Sequence, residues 1–259
     1  MRMKQAGDFW ARGTAPPEHS PVAFGGEVGL SGLLHGYRNG LLAMPTLDDE
    51  VAAGFGELYQ QDINDGLIAL FDGPPQFTHH IPWWSPNPRP LIAVGELHLD
   101  RRTREFLRVD RGWTASCDTA FERVVTECAR GRKPQWITDD LAAGFAMLHA
   151  EQLAHSVEIW DGDNLIGGLF GVRVGTVFSL DSMFYRTSHA SKAALWDLQQ
   201  RLAATDVKFI DVQWDSPHWR RHGAQLVSRE RYLAILGTPS SEPALITEKR
   251  AVHTRGPRS

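Results

Sequence analysis

The segment Phe209-Ile210-Asp211-Val212-Gln213-Trp214 carries the densest chemistry in the chain. It reads as a β-strand, in which side chains two apart share a face and lie about 6.6 Å from one another. Asp211 and Gln213 therefore face together with Phe209, while Ile210, Val212 and Trp214 face the other way. An acid and an amide on an otherwise apolar strand are costly to bury without partners. Two arrangements satisfy them: a hydrogen-bonded pair that fixes a loop, or a couple that opens onto a site and handles a proton there. The strand alone leaves both open.

Several familiar reactive motifs are missing. The chain holds no G-x-x-x-x-G-K-[ST], no H-E-x-x-H, no C-x-x-C and no G-x-S-x-G. Eleven His include His79-His80, His149, His155, His218 and His222, but no spacing among them predicts a metal site. No metal and no cofactor is expected. Cys117 and Cys128 read as sharing one helix, which would separate them by about 16 Å. That exceeds the roughly 7 Å a disulfide spans, so the chain reads as reduced and cytoplasmic. Net charge is 27 − 31 = −4. A globally basic coat is excluded, and any contact with nucleic acid must use a local patch. No apolar run approaches the roughly 18 residues of a membrane span, and the start, MRMKQAGDFWARG, has no signal-peptide core.

The elements that must position Asp211 and Gln213 are read from periodicity. Leu30, Leu33, Leu34, Tyr37, Leu41 and Leu42 have helical spacing. Residues 46–80 hold seven acidic residues and no Lys or Arg, with Leu58, Ile63, Leu67, Ile68 and Leu70 suggesting an amphipathic helix closed by Gly73-Pro74-Pro75. Leu91 to Leu99 reads as a strand and residues 100–111 as a short basic helix or turn. Thr119 to Glu122 has a capping-box pattern before a helix through Cys128. A helix follows from about Asp139 to Gln152, then strands at Ser156–Trp160, Leu165–Val172 and Phe178–Asp181. Ser188 can cap a helix with Ala194, Leu195, Leu198 and Leu202 inward. A strand spans Lys208–Trp214, a short helix surrounds Trp219, and a closing strand pair covers Gln225–Leu236. The first 20 residues and residues 239–259 are expected to lack regular structure.

Taken jointly and in order, several motifs resemble the leucyl/phenylalanyl-tRNA–protein transferases. They are Gly25-Gly26-Glu27, Tyr37-Arg38-Asn39-Gly40, Trp83-Trp84-Ser85-Pro86-Asn87-Pro88-Arg89, Ala154-His155-Ser156-Val157-Glu158, Ser182-Met183-Phe184-Tyr185-Arg186 and Ile210-Asp211-Val212-Gln213. The resemblance implies an α+β protein: an N-terminal domain over residues 1–110, with the acidic stretch 46–80 as an insertion, and an N-acetyltransferase-like catalytic domain over 111–238. It implies transfer of Leu or Phe from aminoacyl-tRNA to the α-amine of proteins beginning with Arg or Lys, feeding N-degron proteolysis.

The roles it implies are specific. Asp211 draws the amine proton through Gln213, and Asp181 holds an amino group. Leu169, Phe178, Met183, Leu195 and Leu202 line the pocket for the Leu or Phe side chain, and a Met-containing slot of this kind rejects Met poorly. Trp83, Trp84, Arg89, Trp136, Arg186 and Lys192 are candidates to hold the tRNA end, because a single-stranded terminus is gripped by stacking and charge. Two departures stand out: Leu42-Ala43-Met44-Pro45 replaces the family's Phe-Pro-Trp-Phe, and Leu180-Asp181 replaces its Gly-Glu. They motivate a second reading, a weakened or inactive relative that binds tRNA or basic N-termini. A third, an acyl-CoA-dependent acetyltransferase, lacks its glycines at Arg186–Ser191.

Overall fold

The computed structural model describes residue 10, residues 20–238 and residues 248–252. It is an α+β protein with two sheets. The smaller has β1 (Ala23–Gly25), β2 (Leu42–Ala43), β3 (Ala69–Phe71) and β4 (Pro82–Trp84) in the order β2-β4-β1-β3. Helix α1 (Leu30–Arg38) buries Gly32, Leu33, Gly36 and Tyr37, a spacing that sets one face inward.

The acidic stretch is not a single helix. Helix α2 (Asp49–Asn64) starts at an Asp48 cap that accepts from Glu50 and Val51 N–H, and it ends before Leu67. Ile68 and Ala69 are buried, leading into β3, which pairs parallel to β1. A 3-10 turn, Pro75–His80, follows. Leu58, expected inward, is 69% exposed; Phe55 and Tyr59 instead pack on Phe24.

The larger sheet contains β5 (Arg89–Ala93), β6 (Trp113–Cys117), β7 (Ala154–Asp161), β8 (Asn164–Val174), β9 (Val177–Tyr185), β10 (Phe209–Asp211), β11 (Gln225–Val227) and β12 (Arg250–Ala251). Its order is β11-β5-β10-β9-β8-β7-β6-β12. Among the described residues of this sheet only β9 and β10 pair in parallel, joined by a crossover through α6 (Ala190–Leu202). The α6 side of the sheet holds one core, with α3 (Arg101–Arg108). Helices α4 (Phe121–Ala129) and α5 (Asp139–Ala150) cover the other side together with α1.

Several expectations change. The chain passes from the small sheet to the large one between Trp84 and Arg89, upstream of the boundary expected at 110, because β5 is needed between β10 and β11. β5 stops at Ala93 rather than Leu99. Cys117 lies on β6 and Cys128 on α4, not on one helix, and both are free. Thr119 does not cap α4; its hydroxyl donates to the Cys117 carbonyl. The cap position of α6 is His189, in the left-handed region, rather than Ser188. After the short helix α7 (Pro217–Arg221), the expected closing strand pair is one strand, β11, and one helix, α8 (Arg229–Leu236). Ser228 caps α8 through the Arg231 N–H, which starts a helix where a second strand was read. Within 239–259, residues 250–251 form β12 beside β6; residues 239–247 and 253–259, like most of the first 20, lie outside the described residues.

Candidate functional site

Three adjacent strands converge on one face. Asp211 on β10 sits beside Ser179 on β9 and Leu91 on β5. The pleat then brings Asp181, two residues past Ser179, and Arg89, two before Leu91, to the same face. Ile210 and Phe178, of opposite parity, point into the α6-side core.

Asp211 is fully buried and its oxygens are saturated. Arg89 donates to it twice, Nε to Oδ1 at 2.9 Å and Nη2 to Oδ2 at 2.7 Å. The Gln213 backbone N–H donates to Oδ1 at 2.8 Å and the Tyr232 hydroxyl to Oδ2 at 2.7 Å. A carboxylate offers about four lone-pair sites; these four donors fill them, and a longer fifth contact comes from the Ser179 hydroxyl at 3.4 Å from Oδ2. Arg89 is 1% exposed and its guanidinium lies 4.6 Å from the Tyr232 ring centre. Burial and the Asp211 charge push the Tyr232 phenol well above its usual range.

Gln213 is not on the strand. β10 ends at Asp211, and Gln213 has φ of +64°. The reading that it shares a strand face with Asp211 therefore fails. The turn is tied by the bond from its own N–H to Asp211, an Asx-type closure. Its side chain goes elsewhere: Nε2 donates to Ser179 Oγ at 3.2 Å and to Asp181 Oδ1 at 2.9 Å. The Gln213 amide does not touch the Asp211 carboxylate directly: it bonds Asp181 and reaches Asp211 through Ser179, whose hydroxyl donates to Asp211 Oδ2 at 3.4 Å.

Asp181 also accepts from the Tyr37 hydroxyl, at 2.5 Å. Its other oxygen, Oδ2, is itself buried and has no hydrogen-bond partner among the described residues. Burial raises the Asp181 carboxyl, against donation from Tyr37 and Gln213, to about 7. The residue as a whole is half-buried, beside half-buried Ser182 and Met183 and exposed Trp214. The arrangement is a braced carboxylate, Asp211, beside a second buried carboxyl, Asp181, with the Gln213 amide and Ser179 hydroxyl linking them.

The remaining predicted residues are placed as follows. Leu169, Phe178, Leu195 and Leu202 are at most 1% exposed and belong to the closed core under α6; only Met183 is part-exposed. They are packed core residues rather than walls of an open slot. Arg89 is a correction: it is a buried partner of Asp211 and has no surface for tRNA. Trp83 is 2% exposed, donates to the Gly25 carbonyl and stacks edge-on with Phe71, so it is a packing residue too. Trp84 is half-buried, edge-on to Trp214 at 5.8 Å. Trp136 packs at the edge of the α1–α4–α5 core. Arg186 pairs with Glu127 at 2.6 Å. Lys192 pairs with Asp100 at 2.5 Å, and both line a cavity of about 310 Å³ together with His189 and Tyr185.

Tyr37, Ser179 and Tyr232 were missed as site residues. Ser179 was within reach, since it precedes Asp181 by two on a strand. Tyr37 and Tyr232 come from other elements, and only the fold brings them in.

Comparison with known proteins supplies the rest. Residues 91–237 match the family described as leucyl/phenylalanyl-tRNA protein transferase. A protein of that name from Shewanella piezotolerans is 34% identical over 218 residues, covering 83% of this chain and 79% of the relative. Another, from Shewanella baltica strain OS155, is 32% identical over 225 residues, covering 86% and 82%. One from Shewanella sp. strain MR-4 is 40% identical over 157 residues, covering 60% and 66%. Among solved structures, a GCN5-related N-acetyltransferase from Kribbella flavida aligns over 55% of each chain at 11% identity with a TM-score of 0.33, too low to carry an argument.

Proposed function

The chain belongs to the leucyl/phenylalanyl-tRNA–protein transferase family and is an aminoacyltransferase; from that premise we propose that it moves Leu or Phe from aminoacyl-tRNA to the α-amine of polypeptides beginning with Arg or Lys, and so marks them for N-degron proteolysis in the cytoplasm. The ester is already activated, so the protein's task is to align the amine, take its proton and support charge at the ester carbon. The single observation that supports this is a buried Asp181 carboxyl with one oxygen bound by Tyr37 and Gln213 and the other without a hydrogen-bond partner among the described residues.

In this proposal Asp181 is the proton acceptor. An α-amine has a reference value of about 7.7–8.0. A carboxyl raised to about 7 is well matched to it. The ammonium approaches from the part-exposed Ser182, Met183 and Trp214 side and passes one proton to the Asp181 carboxylate. Gln213, whose two amide hydrogens are held by Ser179 and Asp181, offers Oε1 to a remaining amine hydrogen. The amine lone pair attacks the ester carbonyl carbon. A C–N bond forms, the C–O bond to the ribose breaks, and the second amine proton ends on the ribose oxygen. Asp211 is a positioning residue: it holds the Gln213 turn, and Arg89 and Tyr232 hold it.

The aminoacyl side chain enters next to Met183, which is part-exposed and borders the α6-side core. The test is transfer of labelled Leu from tRNA to an Arg-starting peptide, with wild type and Asp181→Asn. Transfer by the wild type, lost in the variant while tRNA still binds, supports the reading. tRNA binding without transfer by the wild type replaces it with a binding-only relative.

A further inference from the structure

A cleft of about 510 Å³ opens between the Gly26–Gly29 loop, the start of the acidic segment and the first turns of α5. Glu27, Asp49 and Asp140 line it, and no Lys or Arg among the described residues does. Its apolar part is open to solvent: Leu47 is 71% exposed, Phe77 51% and Met147 50%. Single exposed apolar residues are ordinary. Three of them around one cleft with three carboxylates make a mixed surface, complementary to a cation beside an apolar group.

The walls are preformed. His80 bonds Asp49 at 2.9 Å and so ties the 3-10 turn to the start of α2. A Cβ on Gly144 would come within 1.9 Å of the Val28 carbonyl, so α5 lies directly against the loop. Little ordering is left for a ligand to impose.

Helix α1 links this cleft to the reacting groups. Gly29, its cap position, lines the cleft, and Tyr37, eight residues on, bonds Asp181. That is about 12 Å along the axis. An extended peptide covers it in about four residues. Exposed Ser31 and half-buried Leu34 lie between. Exposed Arg38 is at the far end, about 14 Å from Gly29. This exceeds the screening length of about 8 Å, so it does not cancel the carboxylates.

We propose that this cleft is a subsite for the acceptor polypeptide, taking roughly its fourth and fifth residues and favouring Arg or Lys next to an apolar side chain there. The inference rests on the transfer reaction proposed above. Nucleic acid is disfavoured in the cleft, because its phosphates would meet three carboxylates and, among the described residues, no Lys or Arg.

The experiment uses the full chain and eight-residue acceptors that start with Arg and carry either Lys-Leu or Glu-Ser at positions four and five, with an Arg-starting dipeptide as reference. At low salt the Lys-Leu peptide should have a KM about threefold to tenfold below the Glu-Ser peptide. The gap should close in Asp49→Asn/Asp140→Asn, whose sites are exposed, and shrink in Phe77→Ser, which leaves the charges in place. Equal KM values in the wild type, or a gap that persists in both variants, would overturn the proposal. Anisotropy of a labelled, N-acetylated Lys-Leu octamer reads the cleft without transfer. Binding without transfer to any acceptor rejects the reaction and keeps the cleft; transfer with no peptide preference rejects the cleft and keeps the reaction.

Discussion

The Tyr37 hydroxyl donates to Asp181 Oδ1 at 2.5 Å, across 144 residues of sequence. This bond carries α1 into the reactive face of the large sheet, and it favours the charged form of Asp181 against the burial that opposes it. Tyr37→Phe removes that donation, so the Asp181 carboxyl should rise further above 7. If Asp181 takes the amine proton, kcat/KM falls as pH drops through about 7 in the wild type. In Tyr37→Phe that acid limb should move upward by about one pH unit, the scale of a bond to a charged group. A pH–rate profile measures it. An unmoved limb would remove Asp181 from the proton path.

The same carboxyl sets a stability cost. Its folded value of about 7 lies above the ordinary 3.8. The folded state therefore binds this proton more tightly than the unfolded chain does. The stabilisation is complete below about pH 4 and is lost as pH rises through about 7. Asp181→Asn keeps an uncharged group there at every pH. Its stability relative to wild type should grow between pH 4 and 8 by about 2–4 kcal/mol, the scale of a carboxyl raised from 3.8 to about 7. Urea unfolding at both pH values reads this. A constant difference would show that the residue is not held neutral by the fold.

Arg89 tests the opposite assignment, structure rather than recognition. Removing a partner from a buried ion pair leaves an uncompensated charge and costs about 3–5 kcal/mol. Arg89→Met should destabilise the fold by about that much. Arg89→Lys should cost less but still lose the two-point contact, since an ammonium is a point charge. Neither change should alter the slope of tRNA affinity against salt, because Arg89 is 1% exposed. Unfolding curves and a salt titration with the Lys variant separate the two roles.

The sequence made much of this legible through periodicity. The strands at β7, β8 and β9 and the apolar stripes of α4, α5 and α6 are legible as elements, while the strand order is not. Asp211 and Gln213 were found as a pair, yet by a strand geometry that does not exist at Gln213. A positive φ leaves no mark on a residue other than glycine, so the turn was invisible. Arg89 was misread because a lone Arg after a Trp-Pro segment looks like a surface cation. Its partner is 122 positions away, and only the antiparallel pairing of β5 with β10 reveals it. Leu169, Phe178, Leu195 and Leu202 show the matching limit: the resemblance and the apolar pattern mark side chains that face inward, not whether a cavity remains in front of them.

The Gln213 turn offers a test that separates backbone from side chain. At φ of +64° a residue with a Cβ is strained by about 1 kcal/mol relative to glycine. Gln213→Ala and Gln213→Gly both lose the amide that links Ser179 and Asp181. Both should lower kcat by about 10²-fold, the usual contribution of one positioned proton-handling group. The glycine variant should nevertheless be the more stable of the two by about 1 kcal/mol. Equal stabilities would mean the turn relaxes out of the left-handed region once the amide is gone.

Charge at the surface supplies the last prediction. Arg186 is half-exposed but engaged by Glu127, which is 7% exposed and also pairs with Arg130 at 3.1 Å. Two cations thus share one nearly buried carboxylate. Phosphates of an incoming tRNA must compete with it for Arg186. Glu127→Gln keeps an acceptor for hydrogen bonds and removes the competing charge. If Arg186 contacts a phosphate, the variant should bind tRNA more tightly at low salt, and its log–log salt slope should steepen by about 0.7, the contribution of one more neutralised phosphate on a single strand. Adding Arg186→Gln should cancel the gain, because the released cation is then absent. A Glu127→Gln slope equal to that of the wild type would mean that the Arg186–Glu127 pair serves only to join α4 to the end of β9.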